Sequence, residues 1–245
     1  MRTPTRVKPD LWPARLDGLQ SATGLALALF MIGHMMFVSS ILLGKDAMWV
    51  VARAFEGQFL FGKPFPGLVA GVIAIICVLF VAHAALALRK FPSSRREHQA
   101  IHLAARELGL EDTRLWLWQV YTGFALFFLA SVHLYVLLTR PGLIGPFESA
   151  DRVWSGTFWP LYILLLLAVE LHGGIGLYRL AMKWGWFEGT DKAASRRRLK
   201  RAKWWMTGVF LALGFATLAA YIRIGIEHAP RQGERYVPAR YQSGE

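Results

Sequence analysis

Residues 157–180, TFWPLYILLLLAVELHGGIGLYRL, hold an apolar run about as long as the roughly 20 residues that a helix rising 1.5 Å per residue needs to cross a hydrocarbon core about 30 Å thick. Inside that run sit a histidine, His172, and a carboxyl group, Glu170. Neither belongs in lipid unless it faces other protein and has something to do there. Four further blocks of the same kind cover 21–43, 67–88, 116–138 and 204–226. The chain therefore reads as an all-α membrane protein of five transmembrane helices.

The 245 residues are 55% hydrophobic, and this content is gathered in the five blocks rather than scattered as a soluble fold would scatter it. The first block follows 20 residues that carry polar and charged side chains, exceeds a signal-peptide h-region and lacks a small-residue cleavage site after it, so it is expected to stay as a helix. The net charge of +12 lies in the connections, where it orients a membrane protein rather than binding nucleic acid. Alternate sides of the membrane carry 19 and 9 of the 28 Lys and Arg residues, which predicts a cytoplasmic amino terminus and a carboxyl terminus outside, in the periplasm of a bacterial inner membrane. The lone cysteine, Cys77, lies within a block, so the chain forms no internal disulfide and ligates no iron–sulfur cluster by itself.

The organisation predicted is an amino-terminal segment 1–20, one membrane domain 21–226 and a polar tail 227–245. The first connection, 44–66, mixes aromatic and charged residues and suits a segment lying at the outer interface. In the second, Ser94 can cap an amphipathic helix carrying Ala100, Ile101, Ala104, Ala105 and Leu108 at helical spacing. The fourth holds KAASRRRLKRAK (192–203), which reads equally as a stop for insertion touching anionic lipid or as a docking surface.

Four of the seven histidines fall inside blocks, one on each of the first four helices: His34, His83, His133 and His172. Any one alone is compatible with a satisfied core histidine; one on each of four successive helices is not easily so explained. Measured from the inner helix ends, His83 and His172 lie about 8 and 12 Å deep, and His34 and His133 about 20 and 26 Å deep. A haem needs two axial ligands at one level, so the four sort into an inner pair, His83 with His172, and an outer pair, His34 with His133. Zinc or copper would need further ligands at the same depth, and nothing supplies them. No C-x-x-C-H stretch is present, so the porphyrin would be held without thioether bonds. His98 and His102, four apart, form half of a metal site or a solvated helix face; His228 is expected beyond the last helix, at the surface, without a role.

Two haems stacked through a bilayer suit electron transfer across it, with a lipid-soluble quinol as the partner. Glu170 then reads as a proton relay or a buried structural carboxyl, and Glu56 as an interfacial acid or the acceptor of a quinol proton. The four histidines with their spacings, VELHGG (169–174) and the glutamate of the first connection resemble the dihaem cytochrome b subunit of menaquinol:fumarate reductases, in the succinate:quinone oxidoreductase class. The resemblance spans about residues 16–226. It implies that His83 and His172 hold a proximal haem b, and His34 and His133 a distal one. It further implies that Glu56 serves menaquinol oxidation, and that Glu170 belongs to a transmembrane proton pathway. By position it gives Gln20, Ser21, Trp116 and Lys183 to the proximal haem propionates and Arg152 to the distal haem. The partners implied are a flavoprotein subunit with FAD and an iron–sulfur subunit, with membrane lipid and menaquinol, and a dimeric complex stays open. A b-type cytochrome subunit of a hydrogenase or formate dehydrogenase is the nearest alternative, although one of its helices typically carries two ligands. A transporter or channel with midplane polar groups is a third, and it would be colourless.

Overall fold

The structure is a computed structural model and describes residues 10–91, 94–107 and 111–242. Among these it contains helices and no strand. Five helical segments are long and apolar enough to cross a membrane. They are α1 (Trp12–Val38) with its 3₁₀ extension Ser39–Leu43, α4 (Pro66–Leu88), α6 (Glu111–Thr139), α8 (Trp159–Trp184) and α9 (Lys192–His228). Short helices α2 (Lys45–Phe55), α3 (Gln58–Phe61), α5 (Arg95–Glu107), α7 (Pro146–Val153) and α10 (Ala239–Gln242) fill the connections and the tail.

Local chemistry sets several of these boundaries. Proline in the first turn opens α1, α4, α7 and α8, where its missing N–H costs nothing and its fixed φ is already helical. Asp191 caps α9, its carboxylate accepting from the Ala194 N–H at 3.0 Å. Ser94 caps α5 as its sequence suggests, accepting from the Glu97 N–H at 3.2 Å; Leu108 and the side chains of Ala104 and Ala105 lie outside what is described.

Four spans close a ring, since α1 meets α4, α4 meets α6, α6 meets α8 and α8 meets α1. Helix α9 packs outside it, mainly against α8. Small residues allow that approach: a Cβ at Gly214 would stand 2.5 Å from Leu166 Cδ1. The ring interior holds little packed apolar matter and leaves a continuous cavity.

Two expectations are corrected. The basic stretch 192–203 is not a connection, because it forms the first three turns of α9 and runs without a break into the fifth span. Its Ala, Arg, Lys and Leu residues are strong helix formers, and composition hid that behind the charge. His228 is not at the surface: it is the last residue of α9 and 1% exposed. Its ring stacks on Phe147 with centroids 4.0 Å apart, and its Nδ1 lies 2.7 Å from Asp151 Oδ1.

That pair anchors the tail over one end of the ring, here called the cap end. Asp151 Oδ2 also accepts from the Gly233 N–H at 2.9 Å, Arg235 donates to the Gly142 carbonyl at 2.9 Å, and the Tyr236 hydroxyl donates to Asp46. Tyr241 stacks on Trp49 of α2 at 4.8 Å, and Pro238 is fully buried. An Asp151→Ala chain is expected to lose about 1–3 kcal/mol for the stranded buried imidazole, and with it several degrees of Tm. Thermal unfolding followed by circular dichroism measures this. An unchanged Tm would mean that the carboxylate does not hold the tail.

Candidate functional site

The cavity has a volume of about 1180 Å³, above the roughly 300–1,000 Å³ of a single small-molecule pocket. It borders all eleven residues singled out in the sequence: Gln20, Ser21, His34, Glu56, His83, Trp116, His133, Arg152, Glu170, His172 and Lys183. Each histidine comes from a different helix of the ring, His34 from α1, His83 from α4, His133 from α6 and His172 from α8.

Their rings meet in two couples. His34 and His133 have centroids 6.2 Å apart, and His83 and His172 have centroids 6.4 Å apart. An imidazole nitrogen binds a metal ion at about 2.0–2.1 Å and sits about 1.1 Å from its own ring centre, so two imidazoles on opposite sides of one ion have centroids about 6.3 Å apart. The two couples have that spacing.

The neighbouring groups select the tautomer as well. His172 Nδ1 lies 2.9 Å from the Gln119 carbonyl oxygen, which only accepts, so Nδ1 carries the proton and Nε2 keeps its lone pair. His83 Nδ1 lies 3.2 Å from Thr23 Oγ1. That hydroxyl already donates to the Leu19 carbonyl at 2.9 Å, which leaves its lone pairs to accept from His83. Anchoring one ring nitrogen so that the other is free is the usual second shell of a ligating histidine. His133 stands edge-on to Tyr162 at 5.4 Å, and its buried Nδ1 has no hydrogen-bond partner among the described residues. The backbone contributes at two glycines: a Cβ at Gly24 or at Gly123 would stand 2.8 Å from the His83 or His172 Cε1, so only glycine leaves room for these ring edges beside the neighbouring helix. Imidazole spacing in an apolar chamber fits an iron porphyrin in each couple, and in the His83–His172 couple the tautomer does as well.

At the end of the cavity nearer α5, Asp17 forms ion pairs with both Lys90 and Lys183. Lys183 also donates to Ser21 Oγ at 2.9 Å, while the buried Gln20 Oε1 has no partner among the described residues. This cluster gathers two ammonium groups, a carboxylate and a hydroxyl at one end of the cavity. Arg152 of α7, near the cap end, donates to the Leu143 carbonyl at 3.0 Å and Ser149 Oγ at 3.2 Å, with its buried Nε left over.

The carboxyl groups differ in setting. Glu56 is 1% exposed at the end of α2, 2.5 Å from Arg53, with its second oxygen buried and without a partner among the described residues. Burial pushes its proton affinity above that of an ordinary glutamate, and the Arg53 guanidinium opposes the shift. The chain turns just after it at Gly57, which has φ +75. Glu170 borders the middle of the cavity and has no hydrogen-bond partner among the described residues.

Sequence reasoning missed Asp17, Lys90, Arg53, Thr23 and Tyr162. Asp17 and Lys90 lie at the inner ends of consecutive blocks, a level at which their charges can pair, and that was the available signal. Thr23 and Tyr162 are ordinary residues of a span, with no sequence mark beyond their type.

Comparison with known proteins points one way. The family model described as succinate dehydrogenase/fumarate reductase transmembrane subunit matches residues 95–216. The chain is 49% identical over 225 residues to the fumarate reductase cytochrome b subunit of Wolinella succinogenes, covering 92% of this chain and 88% of that one. It is 52% identical over 215 residues to the fumarate reductase cytochrome b subunit of Helicobacter pylori strain 26695, covering 88% of this chain and 83% of that one.

Proposed function

Because the chain belongs to the family of fumarate reductase cytochrome b subunits, the transmembrane subunits of the succinate dehydrogenase/fumarate reductase class, we propose that it oxidises menaquinol and conducts the electrons across a bacterial inner membrane to the catalytic subunits of the complex. Those partners are an iron–sulfur subunit and a flavoprotein with FAD. The orientation proposed has the amino terminus in the cytoplasm and the carboxyl terminus in the periplasm, with 21–226 as the haem-binding domain.

The observation that carries this reading is the meeting of four histidines, one from each helix of the ring, in two couples spaced at 6.2 and 6.4 Å around one cavity. His83 and His172 would hold a proximal haem b, near the inner subunits, and His34 and His133 a distal one. Held by these histidines, two haems would supply one-electron carriers at two levels of a span too thick for a single transfer.

The chain's own residues do the rest. Oxidation of one quinol releases two electrons and two protons, and Glu56, on the cavity wall, takes up the protons one after the other through its free carboxylate oxygen and releases each to water at the outer face. Burial tightens its hold on that proton, and Arg53 keeps it from becoming permanent. Ser21 and Lys183, with Lys90 nearby, hold the carboxylates of the inner group, Gln20 and Trp116 line the same place, and Arg152 serves the outer one. Glu170 carries a proton along the cavity wall, so that electron movement is offset by positive charge travelling the same way.

The purified protein is expected to show reduced-minus-oxidised bands of the b type and two haems per chain. A colourless preparation, or one haem per chain, would sink the proposal.

A further inference from the structure

Outside the cavity, on the exposed face of α5, three polar atoms converge. His98 Nε2 lies 3.1 Å from His102 Nε2, and the hydroxyl of Tyr121 on α6 lies 2.9 Å from the same His102 nitrogen. The two imidazole centroids are 4.5 Å apart, with planes inclined at 61°. Hydrogen bonding does not satisfy this cluster. The His102 nitrogen offers one in-plane position, either a proton or a lone pair, yet two partners approach it at bonding distance. A cation resolves the conflict, because all three atoms then turn lone pairs towards one point.

We propose that His98, His102 and Tyr121 bind a divalent first-row cation, zinc or copper, which pins the amphipathic helix α5 to the third membrane span. The geometry is that of a chelate. With metal–nitrogen distances of about 2.0–2.1 Å, nitrogens this far apart subtend about 100° at the ion, between octahedral and tetrahedral angles. Residues four apart on a helix lie on one face, so a helical α5 places both imidazoles there without strain. The ligand set of two imidazoles and one phenolic oxygen favours copper and zinc over magnesium or calcium, which prefer all-oxygen cages. His98, on the connecting helix α5, is exposed, and water completes the coordination. The site shares no residue with the cavity and does not depend on the proposal for electron transfer.

The test is titration of zinc chloride into the complete detergent-solubilised complex, by calorimetry, with His98→Ala, His102→Ala and Tyr121→Phe beside the unaltered protein. The expected result is one zinc per chain that either histidine variant weakens at least about 100-fold, more than loss of an outer-shell partner costs. Tyr121→Phe should weaken it about tenfold. With copper chloride in place of zinc, electron paramagnetic resonance should show splitting from two nitrogens. Quinol-linked turnover without added metal should be unchanged in all three variants. Equal zinc binding by the unaltered and histidine-substituted complexes, or no binding by either, would overturn the site. Full affinity in Tyr121→Phe would overturn its third ligand.

Discussion

Replacing His133 by alanine is expected to halve the haem content, from two per chain to one, and His34→Ala is expected to remove the same haem. The reason lies in how the four helices share the work. His133 on α6 and His34 on α1 meet at 6.2 Å, while His83 on α4 and His172 on α8 meet at 6.4 Å, so under the proposed ligation each haem would depend on two particular rings and on neither of the others. A bis-histidine site that loses one axial ligand keeps a five-coordinate iron at best, and the missing imidazole leaves a void in an apolar wall. His83→Ala and His172→Ala should together define the second class, losing the other haem and keeping the first. The measurement is the pyridine haemochrome content with the redox midpoint of what remains. If His133→Ala and His83→Ala lost the same haem, the couples would be wrong and the cavity would need another account.

Much of this architecture is legible in the sequence because lipid simplifies the problem. A helix crossing a bilayer must be apolar over its whole span, so the five blocks declare themselves, and each ionisable group inside them is conspicuous. Depth follows from counting residues at a fixed rise, and depth alone sorted His83 with His172 and His34 with His133 before any packing was considered. What stays hidden depends on contact between distant positions. Asp151 and His228 are 77 residues apart and look like unrelated polar residues of a connection and a terminus, yet they form the clasp of the tail. Asp17, Lys90 and Lys183 come from the ends of three helices and read singly as charges that orient the chain. The amino-terminal turns of α9 were concealed for another reason: three consecutive arginines look like a loop to a reading based on hydropathy, although a charged helix projecting from the bilayer meets no physical objection.

Glu170→Gln is expected to abolish quinol-linked turnover, by about 100-fold or more, while both haems stay bound. The substitution keeps the size of the side chain and removes only its ability to give up and regain a proton. Its surroundings favour a functional over a structural reading. On α8 the residues one turn either side of it are used for packing: Leu166 fills the space left by Gly214 of α9, and Gly174 receives Thr207 and Lys203 of the same helix. Glu170 lies between them on the same face and borders the cavity, with no hydrogen-bond partner among the described residues. A structural carboxyl at this depth would be bonded to a neighbour, since an unsatisfied one in such a place costs about 1–3 kcal/mol or more. The neutral amide therefore breaks no bond on which the fold depends, and helix packing and imidazole geometry should survive. Turnover, haem spectra and uptake of protons by reconstituted vesicles are the three readouts. Normal turnover would remove Glu170 from the proton path, and loss of a haem would make it a structural residue of the ring.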